Sequence, residues 1–525
     1  MKRLLSAAVV LPWFVGALFS TELRLWRADL MQSYDAAIIV LADKACDDGQ
    51  RNFLKRLGNN TEALSFFDQV LKTRGKEIGE FWLPGDHNLL LTWTSLPSIN
   101  QSKPQSHVLE EMRKGVGKKL RALAQDKVSS AVIILPEGLG AAAGGWKLVV
   151  KELAVATQLA SYSFFLGAKQ RLKALDFVDV VLPVEASCDN AFAWGNTIGH
   201  YTNLARRWGD TPAGSLTPQL WAQQAAREAG AAGCSCTILD AGQMRALGMG
   251  GVLGVGSGAA NKPVLIVLDY SPANPIATIA LAGKGIIFDS GGLQIKSGAS
   301  MLGMKFDKCG GAAALATCLA AAKLQAPVRV VAIVPAVYNK TGGDAMHPRD
   351  ILHMMNGKTV EVNHTDCEGR LILGDALCYA EKFYNPDVII DIATLTGACV
   401  AALGTGYSGM MSWHDRLKRD LKNAGNAVGD RVWELPFDHS YEPANASDVA
   451  DISNQSRASW GAGSIMGGLF LSNFVENKCW AHLDIAGTAN GVPGSWHSAS
   501  GATGAGVRLL VEYITNYQVD NNGVA

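Results

Sequence analysis

The chain has no net charge. Its 47 lysines and arginines match 47 aspartates and glutamates. It therefore lacks the basic excess through which nucleic-acid binders neutralise phosphate, and no nucleic-acid partner is expected. Several short catalytic signatures are missing too. There is no G-x-S-x-G, which disfavours a serine hydrolase of the α/β-hydrolase type, and no H-E-x-x-H. Gly357-Lys358-Thr359 lacks the upstream glycine of a phosphate-binding loop. The dinucleotide-type spacing from Gly404 to Gly409 does occur, but without a clear strand-to-helix frame or a well-placed acid. No two cysteines have C-x-x-C spacing, and Cys234-Ser235-Cys236 is too isolated for a zinc site. The ten cysteines are scattered, several within apolar runs, and read as reduced core thiols of an intracellular enzyme.

Long hydrophobic runs are also scarce. The stretch Leu4 to Ser20 is largely apolar but interrupted by Pro12, and it is short for a membrane span, so no membrane partner is expected. With Lys2 and Arg3 ahead of it and Val15-Gly16-Ala17 as a cleavage site, it has the outline of a signal peptide. The absence of acids before Glu22 equally suits an organellar presequence. Unpaired cysteines argue against secretion, as does the sequon Asn363-His364-Thr365, where a glycan would obstruct the candidate site described next. A cytoplasmic location is expected, an organelle is the alternative, and secretion fits least.

What is present is concentrated in two segments. From Val362 to Leu377 the chain reads VNHTDCEGRLILGDAL, placing Asp366, Glu368 and Arg370 at alternate positions between a β-like run and a helix-like one. On extended backbone, alternate side chains point the same way, so the two carboxylates would repel unless a cation lay between them. Hard divalent ions prefer such oxygens. Upstream, residues 282–311 thread Lys284, Asp289, Lys296 and Asp307 through a glycine-rich and otherwise largely apolar segment. Buried lysines and aspartates require a partner or a metal. Lys305 and Lys308, in the same stretch, read as surface side chains with snorkelling stems.

At 525 residues the chain has room for two or three domains, and 48% hydrophobic with 18% charged residues suits a globular α/β protein. Apolar runs at 36–42, 88–93, 131–135 and 178–182, separated by helical stretches 106–124 and 146–166, predict a smaller N-terminal α/β domain. Residues 190–207 read as a helix ended by the proline-bearing 210–218 segment. Thr217 followed by Pro218 starts the next helix. Strand-like runs at 264–268, 276–281, 328–334, 358–362 and 388–392, with helices 312–324 and 371–383 between them, predict a doubly wound, mostly parallel sheet flanked by helices. Ligands of such sheets lie beyond the strands' carboxyl ends, where Asp289, Asp366 and Thr394 fall. The division expected is an extension 1–30, an N-terminal domain 31–187, a linker helix 188–210 and a larger catalytic domain 211–525.

GKGIIFDSGG (283–292 region) and NHTDCEGRL (363–371) resemble motifs of the leucyl aminopeptidase family of two-metal exopeptidases. Further resemblances follow in the same order, at Thr211 to Pro218, Asp391 to Ala398, Ser447 to Asn454, His482 to Ala489 and Gly501 to Leu510. The resemblance implies a metal-dependent aminopeptidase that removes leucine or a similar apolar residue from peptides with a free N-terminus, through a hydroxide bridging two divalent ions. It assigns Lys284, Asp289, Asp307, Asp366 and Glu368 to the metals, with zinc or manganese expected and cobalt or magnesium also suited. Lys296 is implied as the oxyanion stabiliser and Arg370 as the holder of a bicarbonate that relays a proton. A structural ion pair of Arg370 with Asp366 or Asp375 is the competing assignment. Met304, His364, Thr394, Leu395 and Gly397 are implied to line the pocket for the first side chain. A homohexamer is implied as well. His364 and Cys367 depart from the usual asparagine and alanine beside the ligands, so a narrower pocket and sensitivity to oxidation are expectations specific to this chain. The rival classes are a catalytically impaired oligomeric scaffold or DNA-binding family member, and a different metallohydrolase.

Overall fold

The protein is described from a computed structural model that covers residues 22–25, 36–41, 50–51, 80–83, 89–96, 103–126, 128–166, 175–182, 187–455, 460–476, 479–497 and 500–519. The leader-like segment, the cleavage site and Cys46 lie outside the described residues. Among the described residues, no helix is long and apolar enough to cross a membrane.

A first sheet joins six strands in the order β1 (Glu22–Leu25), β6 (Phe177–Val181), β5 (Ser130–Ile134), β2 (Ala36–Leu41), β4 (Leu89–Ser95) and β3 (Glu80–Leu83), all parallel except the β3–β4 pair. Helices Gln105–Gln125 and Trp146–Ser161 supply much of its apolar core.

The second sheet is built around strands that read as nearly unbroken apolar runs. Each of β9 (Thr278–Gly283), β11 (Arg329–Asn339) and β14 (Val388–Ala393) is buried almost throughout, as parallel strands covered on both faces must be. β18 (Cys479–Asp484) extends this parallel set, and β10 (Gly285–Asp289) pairs parallel to the distal part of β11. The margins are antiparallel at β8 (Val264–Tyr270) with β11, β7 (Ser235–Leu239) with β8, and β15 (Ser408–Ser412) with β18, while β16 (Val432–Glu434) closes one edge. The side-chain period of two is visible along β8. Val264, Ile266 and Leu268 enter the core under helices Pro218–Ala232 and Cys309–Lys323, whereas Leu265 and Val267 enter the opposite core with helix Gly369–Tyr384. Thr217 caps its helix as the sequence predicts, its Oγ1 accepting from Leu220 N at 3.2 Å with Pro218 in the first turn.

One expectation is corrected. The 358–362 run does not join the main sheet: it forms β13 (Thr359–Glu361) of a separate three-stranded sheet with β12 (Ile351–His353) and β17 (Ile452–Ser453). A short strand has few ladder bonds, so its neighbours rather than its composition decide which sheet it enters. The 190–207 helix is longer than predicted, Asp189–Asp210, and packs against both Trp146–Ser161 and Cys309–Lys323.

Across the parallel pair β14 and β18 lies a buried polar trio. Asp391 accepts from Trp480 Nε1 at 2.8 Å and pairs with His482 Nδ1 at 2.6 Å, and Asp391 and His482 are wholly buried. Burial disfavours the charged imidazole, but Asp391 outweighs it and holds His482 above its ordinary range. A histidine raised in the folded state adds stability that is complete below about pH 6.5, its unfolded value, and is lost as pH rises through the folded value. Asp391→Asn is expected to destabilise the fold by ~1–3 kcal/mol. The gap from wild type should be widest in acid and narrow as pH rises, read by denaturant titration at several pH values.

Candidate metal centre

Four chain segments bring six charged side chains together at the carboxyl edge of the parallel strands. Asp289 is the last residue of β10 and 2% exposed. Its Oδ1 accepts from Gly291 N at 2.8 Å and Asn339 Nδ2 at 2.7 Å, which leaves Oδ2 for Lys296 Nζ at 2.8 Å. The turn after it needs glycine: Gly291 has φ of +87°, and a Cβ there would lie 2.6 Å from Gln294 O. Lys284, between β9 and β10, directs Nζ at Asp307 Oδ1 (2.8 Å), Glu368 Oε1 (3.0 Å) and the Thr394 carbonyl (2.9 Å). Lys296 Nζ also meets Asp366 Oδ1 at 2.5 Å. Glu368 stands just before helix Gly369–Tyr384, whose first residue passes so close to Lys284 that a Cβ on Gly369 would lie 2.5 Å from its Cε.

Asp289, Asp366 and Glu368 each offer an oxygen within 4.8 Å of the others. Two further oxygens, Asp307 Oδ2 and Glu368 Oε2, are buried with no hydrogen-bond partner. An unsatisfied buried carboxylate oxygen is costly, so bare oxygens on two acids that share Lys284, one of them in the three-acid group, fit a hard divalent ion. The electrostatics agree. Burial, then repulsion from Asp289, pushes the Glu368 carboxyl up to about 8, with Lys284 opposing. Burial likewise pushes Asp307 up to about 6 against the pull of Lys284. Burial alone would lower Lys284, but Asp307, Glu368 and Asp289 outweigh it and keep it protonated while carboxylates are its partners.

The convergence expected from the sequence is present, but not by the expected geometry. β13 ends at Glu361, and Asp366 and Glu368 lie on a turn, with Glu368 in helical backbone. They face one point because the turn folds back, not because alternate side chains of a strand share a face. Lys308 is a second correction. It is fully buried rather than on the surface, donating to the carbonyls of Gly209 (3.3 Å) and Thr211 (3.0 Å) at the end of helix Asp189–Asp210 and to that of Lys305 in its own turn. Lys305 reaches the Asp210 carbonyl at 3.0 Å. Carbonyls left over at a helix end attract a cation strongly enough to bury it.

Arg370 forms no ion pair with either suggested aspartate. Its Nη1 donates to the Asn454 carbonyl at 2.8 Å, while Asp375 accepts from Val252 N and Met355 N, each at 2.9 Å. Of the expected pocket residues, Thr394 joins the cluster through Oγ1 to Asp307 at 2.7 Å. His364 joins through Nδ1, which accepts from Asp366 N at 3.1 Å. Leu395 is held through its backbone N–H to Asp484 Oδ1 at 3.1 Å. Met304 opens the turn that ends at Asp307, and Gly397 begins helix Gly397–Leu403 with open space where a Cβ would stand. Cys367 is half-buried, and burial pushes its thiol up, away from the reactive thiolate.

Sequence reasoning missed three neutral residues around the charges. Asn339 holds Asp289 and also the Thr365 carbonyl, at 3.0 Å. Thr365 ties the two motifs together, its Oγ1 donating to Gly291 O at 2.6 Å and accepting from Gln294 N at 3.0 Å. Asn454 bonds the turn on its other side. Neutral amides and hydroxyls carry no charge pattern, and only the position of Asn454 at the end of a family-like segment hinted at a role. A separate cavity of about 670 Å³ between helices Asp415–Val428 and Val507–Thr515 shares no residue with the cluster.

Clustered carboxylates beside two lysines at the carboxyl edge of a mostly parallel sheet fit the metal centre of an α/β protein. The catalytic-domain pattern of the cytosol aminopeptidase family matches residues 203–511, so the chain belongs to that family. Membership carries the class, a metal-dependent aminopeptidase and hence a peptide hydrolase. The chain is 40% identical over 405 residues to a "Probable cytosol aminopeptidase" of Xylella fastidiosa (strain 9a5c), covering 77% of this chain and 81% of that one. It is 41% identical over 413 residues to the protein of the same description from Syntrophotalea carbinolica, covering 77% and 82%. Among solved structures it resembles the bottromycin maturation enzyme BotP in complex with Mn, with a TM-score of 0.78, 28% identity, and coverage of 92% of this chain and 99% of that one.

Proposed function

We propose that the protein binds two divalent ions and removes an N-terminal leucine, or a similar apolar residue, from peptides. The observation that carries this reading is the set of carboxylate oxygens of Asp289, Asp366 and Glu368 within 4.8 Å of one another, beside the bare buried oxygens of Asp307 and Glu368. Lys284, Asp289, Asp307, Asp366 and Glu368 would hold the ions. When bound, the ions supply Lewis acidity to polarise the scissile carbonyl and activate water. The solved structure of a similar protein with Mn supports manganese, and the oxygen-rich set with one lysine also suits zinc, cobalt or magnesium. Cation charge beside Lys284 would lower its affinity for a proton and free its amine as a ligand.

The remaining roles belong to side chains. Lys296, held between Asp289 and Asp366, presents an ammonium to the oxyanion that develops as the carbonyl is attacked. Arg370, bound to protein through one of its nitrogens, keeps donors free for an anion such as bicarbonate, which would pass a proton to the leaving amine. Met304, His364, Thr394, Leu395 and Gly397 bound the pocket for the first side chain, with the thioether of Met304 as an adaptable wall. A homohexamer in the cytoplasm, acting on peptides with a free N-terminus, completes the reading.

The test is release of leucine from leucyl amide by protein stripped of metal and resupplied with manganese, zinc or cobalt. Turnover is expected only with metal, lost in Asp366→Ala, and lost for substrate whose α-amine is acetylated. Turnover of the acetylated amide would redirect the assignment to another metallohydrolase. A folded protein inactive with every metal would sink the catalytic reading and leave a scaffold.

A further inference from the structure

We propose that Asn454 is a positioning residue for the reaction: one neutral side chain that fixes the turn carrying Asp366 and Glu368 and, through its own carbonyl, aims Arg370. This inference rests on the two-metal reading above. Asn454 follows β17 directly and is wholly buried. Its Oδ1 accepts from Asn363 N at 2.8 Å and His364 N at 3.1 Å, and its Nδ2 donates to His364 O at 2.7 Å and Cys367 O at 3.3 Å. Both ends of the turn are therefore tied to one amide. The main chain of Asn454 is anchored in turn, its N–H donating to Glu361 O at 3.0 Å beside the β13–β17 pairing of Glu361 with Ser453. Its carbonyl receives Arg370 Nη1 at 2.8 Å, while Arg370 Nε is buried without a partner.

The chemistry of the amide explains the residue type. The turn presents two N–H donors and two carbonyl acceptors to the same point, and only a side chain offering both kinds of group satisfies all four. Aspartate would set a second acceptor against the two carbonyls, and alanine would strip the partner from Asn363 N, His364 N and Cys367 O, leaving the His364 carbonyl only Cys367 N. Because the same residue holds the turn and Arg370, a shift of the acids by a fraction of an ångström moves the guanidinium with them. Asn339 holds the opposite side of the turn, through the Thr365 carbonyl, and also bonds Asp289. It serves as the comparison that touches the acids without touching Arg370.

The experiment uses full-length protein loaded with Mn²⁺ and compares wild type, Asn454→Ala, Asn454→Asp, Asn339→Ala, Arg370→Ala and the Asn454→Ala/Arg370→Ala and Asn339→Ala/Arg370→Ala double variants. Asn454→Ala is expected to lower kcat by about 10- to 100-fold and to weaken Mn²⁺ binding measured by calorimetry. KM for leucyl amide should stay within about threefold. The coupling between the two manganese ions, read by electron paramagnetic resonance, should change. In the Arg370→Ala background the same substitution should cost distinctly less, whereas Asn339→Ala should cost the same in both backgrounds. Wild-type kcat in Asn454→Ala, or a loss that is equal with and without Arg370, would overturn the proposal. If Asn454→Ala does not fold, Asn454→Asp keeps the shape and must show the same split between kcat and KM; an unaffected kcat there would overturn it. If wild type itself is inactive with every metal, the aminopeptidase reading fails separately. The manganese affinity and resonance of the Asn454 variants then decide: unchanged values overturn the positioning role, and altered values support it.

Discussion

Lys296→Met is expected to lower kcat on leucyl amide by about 10²- to 10³-fold, roughly 3–4 kcal/mol of transition-state stabilisation. KM should change far less, because the ammonium acts on charge that develops only during attack. The same variant carries a second signature. Lys296 is the cation between Asp289 Oδ2 and Asp366 Oδ1, at 2.8 and 2.5 Å. Burial pushes Asp366 up and Asp289 adds to this, with Lys296 opposing both. In metal-stripped protein the variant leaves two facing carboxylates without that ammonium, so its thermal midpoint should fall below that of wild type. Adding Mn²⁺ should close much of the gap, since dications neutralise the same oxygens. A fall in the metal-free midpoint with kcat intact would make Lys296 a structural counter-ion and remove it from the chemistry.

Arg206→Met is expected to cost the fold about 3–5 kcal/mol while leaving the activity of each folded molecule unchanged. Arg206 is 2% exposed, and burial pulls its guanidinium down to about 10, so it stays charged at neutral pH. Four hydrogen bonds satisfy it: Nε to Ala502 O at 3.0 Å, Nη1 to Leu159 O at 3.0 Å and Asn203 Oδ1 at 2.9 Å, and Nη2 to His497 O at 2.9 Å. Its Cζ lies 4.0 Å from the centre of the Tyr162 ring. These partners come from helix Trp146–Ser161, from its own helix and from the loop before the last helix, so one side chain joins three distant parts of the chain. Methionine fills much of the volume but donates nothing, and several buried acceptors would lose their partners. The measurement is the denaturant midpoint at unchanged slope. A loss below about 1 kcal/mol would mean that water replaces the missing donors.

The candidate acids were readable because charge inside an apolar, glycine-bracketed segment is expensive and therefore conspicuous. Asp289 and Lys296 could be singled out on that ground, Asp366 and Glu368 by their alternation beside a strand-like run, and the family resemblance named their roles. The same reasoning failed for Lys308, which looks no different from Lys305 in sequence; what buries it is the end of a helix a hundred residues upstream. It also gave a wrong geometric reason for Asp366 and Glu368. Alternation of charges suggests a strand, but the two backbone segments that set the turn, around Asn339 and Asn454, are distant in sequence. Strands that are unbroken apolar runs were legible, as at Val388 to Ile392, whereas the equally buried β15 and β18 were not read as strands because serine, glycine, histidine and aspartate interrupt their apolar pattern. β13 was misplaced because three residues carry too little pattern to choose between sheets.

By itself the sequence determined the class of fold, the two motif segments and the charged groups that meet in them, because these depend on local pattern and on which residues tolerate burial. Tertiary structure alone decided which oxygens are left bare, which cations face them, and which neutral amides hold the turn. Those properties are set by distances between segments that meet only after the sheet has formed, and no local pattern encodes a distance across 90 residues of intervening chain.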